Sequence, residues 1–330
     1  MSAPMKRKAK WGAGVLALAL GAAALVVAAT ASATAGGESA ASQKITIAMV
    51  THGDGGSFWS VAKKGALQAG KDLGVTVRYS ESNNDPKRQA QLIDAAVSQK
   101  VDGLAVSAPN PAALKNSLAR ARKAGIPIIT LNSGVDFFKQ FGAITHVGQT
   151  ETVAGQGAGE KFRATGAKKL LCVIHEQANI GLNQRCAGAK TGFKGGTVEN
   201  LQVAGTGDIT TTKNQIQSKL QADKSIDAVL ALNPDIAIAA MDAIRGARSS
   251  AKLATFDLSG DVVSAIKTGK ILFAIDQQQY LQGYLPVVFL YLYKLNLNTV
   301  GGGLPVLTGP GFVDKTNASK VEALAKKGTR

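Results

Sequence analysis

Short apolar segments alternate with amphipathic segments along the chain from Lys44 onward. KITIAMV, VDGLAVS and IPIITLN are apolar throughout, which predicts strands of a parallel sheet covered on both faces. The segments between them, such as SFWSVAKKGALQAGKDLG, have helical spacing and end at a glycine. Asp85 and Pro86 predict the start of another helix, as N-cap and first helical residue. The pattern therefore predicts an α/β, doubly wound fold.

The number of strand–helix units exceeds what one open sheet holds comfortably. Further apolar strands are predicted at AKKLLCVIHE, IDAVLALN, AKLATFD and KILFAIDQ, each followed by a helical segment. We therefore expect two similar lobes built from parallel sheets, with the break near residues 148–150.

The first 43 residues are predicted to lie outside this fold. A basic start, MKRKAK, precedes an apolar run of 20 residues and then ASATA. This is the layout of a signal peptide, here residues 1–35, cleaved near Ala33 or Ala35. Residues 36–43 are a short linker, and the protein is expected in the periplasm or the extracellular cell envelope. The alternative is an uncleaved membrane anchor, because 20 apolar residues can span a bilayer.

Charge and cysteine content narrow the classes of partner. Four of the 38 basic residues precede Ala35, which leaves 34 basic and 22 acidic residues in the rest of the chain. The lysines are scattered singly, which favours a solvated basic surface over a nucleic-acid site. Cys172 and Cys186 fit no metal motif, and the sequence leaves open whether they form a disulfide.

Polar residues follow the predicted strands, where doubly wound sheets bind their ligands. Most are Asn, Gln, Asp, Ser or Arg, which pair with vicinal hydroxyls. The candidate ligand-binding residues of this kind are Ser107, Asn132, Gln149, Arg185, Asn233, Asp257 and Gln277. Phe58 and Trp59 follow a glycine-rich turn after the first strand and could cover the apolar face of a sugar ring. Each residue could also be only a helix cap, a turn residue or a hydrophobic staple.

As a set, these residues carry a family resemblance over about residues 44–313. The chain resembles the type I periplasmic sugar-binding proteins of ABC importers, the ribose- and galactose-binding group. The resemblance rests on FW after the first strand and on SAPNPAAL, GIPIITLNS, NQRCAGAKTGF, LALNPDIAIAAMDAI, ATFDLS and AIDQQQYLQGY. It implies two lobes joined by a three-strand hinge, with the solute in the cleft. The family's contact positions fall on the same candidates, with Gln149 near one of them.

The resemblance also implies domain limits and departures from the family pattern. The N-terminal lobe is expected to comprise residues 44–148 plus 279–305, and the C-terminal lobe 149–278 plus 306–330. Ribose binders usually carry Asp-Arg where this chain has Asn132 and Ser133, and Asn is common at Ser107. These changes leave the identity of the sugar or polyol open.

The function expected from these features is solute capture by hinge closure and delivery to an ABC permease, by a monomer without cofactor or metal. No nucleophile elbow, zinc pair or phosphate loop suggests an enzyme, and no catalytic residue is assigned. His52, His146 and His175 are far apart in sequence, and a strand-end pair such as His175–Glu176 is more often structural. A regulator of the lac-repressor type is disfavoured, because the signal-like leader occupies the place of its helix-turn-helix. A sensory binder that presents its ligand to a membrane receptor stays open.

Overall fold

The computed structural model of the chain describes residues 44–53 and 55–330. The predicted signal peptide, its cleavage near Ala33 or Ala35, and the linker lie outside the described residues. No helix in the described ranges is both long and apolar enough to cross a membrane.

Within the described ranges the chain alternates strands and helices. The strands are β1 Thr46–Thr51, β2 Thr76–Glu81, β3 Gly103–Ser107, β4 Ile128–Asn132, β5 His146–Gly148, β6 Lys169–Ile174, β7 Thr197–Gln202, β8 Ala228–Ala231, β9 Lys252–Phe256, β10 Phe273–Asp276, β11 Val306–Leu307 and β12 Gly311–Asp314. The helices are α1 Ser57–Leu73, α2 Pro86–Ser98, α3 Pro111–Lys123, α4 Glu151–Ala164, α5 Ile180–Gly192, α6 Ile209–Ala222, α7 Pro234–Gly246, α8 Gly260–Lys267, α9 Gln279–Asn296 and α10 Ala318–Lys327.

The strands form two sheets of the same design. Their orders are β11-β5-β4-β3-β1-β2 and β12-β10-β9-β8-β6-β7, and all neighbours are parallel except β10 and β12. The central strands β3, β4 and β8 are buried at every position because helices cover both faces of each sheet, whereas the edge strands β2 and β7 are partly exposed. The prediction of two doubly wound, parallel-sheet lobes is confirmed.

Local sequence signals fix several of the element ends. The Asp85 side chain accepts hydrogen bonds from the backbone N–H groups of Lys87 and Arg88, with Pro86 at the first helical position. Close helix packing depends on glycine, since a Cβ at Gly283 in α9 would lie 1.8 Å from the carbonyl oxygen of Ala62 in α1. Helix α9 is thereby held against the first lobe.

Three short segments cross between the sheets, at residues 149–150, 277–278 and 308–310. The third crossing differs from the expected boundary between residues 305 and 306. Strand β11 pairs with β5, so Val306 and Leu307 belong to the first sheet. A two-residue strand carries too little pattern to be predicted from sequence, which is why the expected boundary falls one strand early.

A disulfide joins strand β6 to helix α5 in the second lobe. Cys172 and Cys186 are bonded with an S–S distance of 2.00 Å, and both residues are buried. The bridge closes a short loop that begins in β6 and includes the turn carrying His175, Glu176 and Asn179.

Candidate functional site

The carboxyl ends of the two parallel sheets face each other and enclose a small space, which we call the inner cavity. It measures about 300 Å³ including the part open to solvent, and it receives side chains from both lobes. Of the predicted ligand-binding residues, the following line it: Phe58, Trp59, Asn132, Arg185, Asn233, Asp257 and Gln277. Residues that are up to about 220 positions apart in sequence therefore meet at one place, as the strand-end rule for doubly wound sheets predicts.

Two predicted site residues lie behind the cavity wall. Ser107 is fully buried, and its Oγ accepts a hydrogen bond from the backbone N–H of His52 (2.9 Å) and lies 2.7 Å from His52 Nδ1. The Gln149 amide donates to Glu151 (2.9 Å) near the hinge. Neither residue lines the inner cavity. The serine hydroxyl lies behind the imidazole of His52 and the Gln149 amide turns towards Glu151, and ligand contact by Ser107 or Gln149 stays a prediction.

The aromatic pair lies in the first turn of α1 and is almost fully buried. The rings of Phe58 and Trp59 are 4.9 Å apart and edge to face, and both pack on the core of the first lobe. A second edge-to-face contact joins Trp59 to the imidazole of His52 at 4.7 Å. Gly53 makes room for the indole, since a Cβ there would lie 2.8 Å from Trp59 Cγ. The pair is therefore both a core element and a rigid apolar wall of the cavity.

Arg185 reaches the cavity from α5 as half of a buried ion pair. Its Nε donates to Glu151 Oε2 at 2.6 Å, its Nη2 to Oε1 at 3.0 Å, and its Nη1 to the carbonyl of Leu232 at 3.2 Å. The guanidinium also lies 4.4 Å above the ring of Phe256. Burial alone would lower the pKa of Arg185, but the carboxylates of Glu151, Asp257 and Glu176 together outweigh it and raise the pKa. The cation is thus neutralised within the protein and needs no anionic ligand.

Asp257 is a carboxyl group of the inner cavity whose pKa burial raises. Burial raises its pKa to about 7, although Arg185 and a hydrogen bond from Gln277 Nε2 (2.8 Å) act in the opposite direction. Its backbone is left-handed, with φ at 68°, as is that of Asn132 with φ at 59°. Asn and Asp tolerate this conformation better than other side chains with a Cβ.

A chain of amide hydrogen bonds runs from the first lobe through the hinge to Asp257. Asn132 Nδ2 donates to Gln282 Oε1 (3.3 Å), and Gln282 Nε2 donates to Gln277 Oε1 (2.8 Å). Gln277 completes the chain to Asp257. Asn233 has two roles. Its Oδ1 caps α7 by accepting a hydrogen bond from the backbone N–H of Asp235 (2.7 Å), and its side chain also lines the cavity.

A polar cluster lies on the outer side of the cavity and was not among the predicted site residues; it is formed by His52, His175, Glu176 and Asn179. Glu176 Oε2 lies 3.5 Å from His52 Nε2, and Glu176 Oε1 lies 3.8 Å from His175 Nε2. Asn179 Nδ2 donates to Glu176 at 2.6 Å. Burial opposes ionisation of Glu176, but the two histidines and the amide together lower its pKa to about 2. His52 and Glu176 follow β1 and β6 closely, so the same strand-end rule could have found them.

Direct bonds between the lobes hold them together in this structure. Asp235 of the second lobe accepts from Ser57 Oγ (2.5 Å) and from Ser57 N (3.1 Å). Gln184 Nε2 donates to Asp136 at 2.6 Å, and the Ile180 N–H donates to the carbonyl of Pro109 at 3.0 Å. The lobes are therefore closed over the cavity.

No group of three or more His, Cys, Asp or Glu side chains in the described ranges could hold a metal ion. The inner cavity instead combines a compensated cation, hydrogen-bonding amides, carboxyl groups and two aromatic rings. Such a set can bind a small neutral molecule rich in hydroxyl groups.

Comparison with known proteins agrees with this chemistry. The family described as "Periplasmic binding protein domain" matches residues 47–295. The chain belongs to this family. It is 27% identical over 255 residues to the ribose import binding protein of Haemophilus influenzae, covering 76% of this chain and 86% of the relative. It is 26% identical to the fructose import binding protein of Bifidobacterium longum, covering 79% and 83%.

A solved structure is similar at higher identity. The carbohydrate transporter of Acidothermus cellulolyticus, in complex with myo-inositol, is 44% identical with a TM-score of 0.85, covering 87% of this chain and 100% of that one. The resemblance to sugar-binding proteins of ABC importers, predicted from the sequence, is confirmed by these relatives. They are binding and transport proteins rather than enzymes.

Proposed function

We propose that this protein is an extracytoplasmic solute-binding protein that encloses a sugar or cyclic polyol between its lobes and presents the closed form to an ABC permease. The observation that carries the proposal is the inner cavity itself, in which both lobes direct polar side chains at a space bounded by Phe58 and Trp59. Because only the closed form offers both sets of groups, the ligand shifts the lobes towards closure.

The charge balance of the inner cavity favours a neutral ligand. Arg185 is already paired with Glu151, and Glu176 with two histidines. An anionic sugar would meet Asp257 and Glu176 without a free cation to compensate it. The myo-inositol complex of the relative that is 44% identical supports a cyclic polyol as the first ligand to test.

Calorimetry with a panel of myo-inositol, ribose, fructose, xylose and arabinose tests the proposal. We expect at least one of these to bind, and Asp257→Ala to weaken its binding by on the order of 10–100-fold, because a hydrogen bond to a charged group is lost. Asp261→Ala is the matched control, since Asp261 is exposed at the start of α8. Absence of binding to every compound, or equal affinity of Asp257→Ala and the unmodified protein, would contradict the proposal.

The delivery step needs a separate experiment in cells. Cells that lack this protein should lose high-affinity uptake of the ligand identified by calorimetry, and should regain it with the normal protein but not with Asp257→Ala. Uptake that is unchanged in its absence would instead favour the sensory role.

We also propose that the protein is exported and loses residues 1–35 or a slightly shorter leader. The periplasmic family and the buried disulfide support export, since disulfides persist in oxidising compartments. Intact-mass analysis of the cell-envelope fraction should find a chain that begins at residue 34 or 36. A full-length mass in that fraction would favour the membrane anchor.

A further inference from the structure

A second, larger space lies next to the inner cavity, in the part of the cleft farthest from the hinge. It is bounded by the loops after β1, β2 and β3 of the first lobe and after β6, β7 and β8 of the second. It measures about 1720 Å³, against about 300 Å³ for the inner cavity, and both volumes include the part open to solvent. We call it the outer chamber. It persists although the lobes are closed, so closure does not fill it.

The lining of the outer chamber is rich in side-chain amides. These come from both lobes: Asn83, Asn84, Gln89, Asn110, Gln177 and Asn179. Gln89 is fully buried, and while its Nε2 donates to the carbonyl of Ser107 (2.7 Å), its Oε1 has no hydrogen-bond partner among the described residues. An amide offers a donor and an acceptor side by side, which suits the vicinal hydroxyls of a sugar ring. The chamber thus repeats the chemistry of the inner cavity.

The lining of the chamber also includes apolar surface and acidic side chains. Ile209 begins α6 and is 39% exposed, and Pro86 and Pro109 line the same space. The titratable side chains among its described lining residues are Glu176, Asp235 and two histidines, and these residues include no Lys or Arg. A phosphate or carboxylate would lack a strong cationic partner there, so the lining favours a neutral occupant.

The two spaces share one wall that is a single side chain thick. His52, His175, Glu176 and Asn179 line both of them. Part of the wall is only a contact between lobes, because His52 belongs to the first and Glu176 to the second, 3.5 Å apart. At 3.5 Å these two groups are in contact, so a covalent link crosses the wall here only when the two side chains move apart, and it then meets a hydrogen-bonding partner on each side.

We propose that the outer chamber is a second subsite and that the protein takes a neutral two-ring glycoside. One ring occupies the inner cavity, the second ring occupies the outer chamber, and the glycosidic link displaces the contact between His52 and Glu176. This inference rests on the proposed function, because the first ring binds as described above.

Paired ligands test the inference by calorimetry. The probes are myo-inositol, its neutral galactosyl glycoside and its monophosphate, together with disaccharides of each monosaccharide that binds. We expect a two-ring compound to bind at least tenfold more tightly than its parent ring. Ala178→Trp should remove this gain and leave the affinity for the parent ring unchanged, because exposed Ala178 lines the outer chamber but not the inner cavity. Ala178→Ser is the matched control and should keep the gain.

The outcomes separate the inference from the function on which it depends. If single rings bind and none of their two-ring glycosides binds more tightly, the second subsite is refuted while the proposed function stands. Tighter binding of the monophosphate than of the neutral glycoside would refute the neutral class. If neither single rings nor glycosides bind, both proposals fail. Ile209→Ala is a second test: it should weaken binding of the two-ring compound and leave binding of the parent ring unchanged.

Discussion

The buried pair of Arg185 and Glu151 allows folding stability and ligand binding to be measured apart. The side chains are 3% and 0% exposed and are joined by hydrogen bonds of 2.6 and 3.0 Å. Removing one partner of such a pair leaves an uncompensated buried charge, which costs about 3–5 kcal/mol, whereas replacing both by uncharged groups costs far less. We therefore expect Arg185→Met to lower the free energy of unfolding by about 3–5 kcal/mol. The double variant Arg185→Met/Glu151→Gln should recover most of this loss.

Urea unfolding followed by circular dichroism measures the stability, and calorimetry measures the binding. Both variants should fail to bind, because the guanidinium that lines the inner cavity is absent from each. Arg163→Met is the control, because Arg163 is exposed on α4. A loss below about 1 kcal/mol in Arg185→Met, a double variant no more stable than the single one, or a double variant that still binds would refute the reasoning.

Three further predictions follow from individual contacts. Burial raises the pKa of Asp257 to about 7, and ligand hydroxyls are expected to bind its ionised form, so the affinity for the ligand should fall up to tenfold per pH unit below pH 7. Asp257→Asn should bind the ligand weakly and without this pH dependence. An equally steep pH profile of that variant in calorimetry would contradict the assignment. Cys186→Ser opens a loop of 14 residues and should lower the free energy of unfolding by about 3 kcal/mol, and an unchanged urea midpoint would show that the bridge adds no stability. Gly283→Ala places a Cβ against the Ala62 carbonyl and should lower the free energy of unfolding by about 1–3 kcal/mol. Gly207→Ala is the control and should cause no measurable loss, because Gly207 faces solvent and a Cβ there would contact no atom.

The sequence predicts most of the fold because its local signals agree with one another. Continuous apolar strands require two covered faces, and capping residues such as Asp85 and Asn233 begin helices where the pattern changes. The exception is β11, which has two residues and is held by pairing with β5. Its place in the first sheet depends on a partner about 160 residues away along the chain, which no local pattern records.

The candidate site is less accessible to sequence reasoning because strand ends locate a residue but not the depth of its side chain. Ser107 and Gln149 lie at strand ends and yet stop behind other groups. His52 and Glu176 belong to different lobes, so only the meeting of the lobes makes them a pair. Separation along the sequence, used above to set the histidines aside, is a poor guide to distance in a protein whose site is built from two sheets.

Charge compensation within the protein explains how a neutral ligand can control closure. When the lobes part, Ser57 separates from Asp235 and His52 from Glu176, and each group exchanges a protein partner for water. Such exchanges contribute about 0.5–1.5 kcal/mol per neutral hydrogen bond and about 1.5–3 kcal/mol where one partner is charged. The bonds between the lobes are therefore too weak, taken singly, to fix the closed state. Under the proposed function, the ligand would add hydrogen bonds to Asn132 on one side and to Arg185 and Asp257 on the other, and these would form together only in the closed state. Its binding energy would then set the population of the closed state that a permease meets.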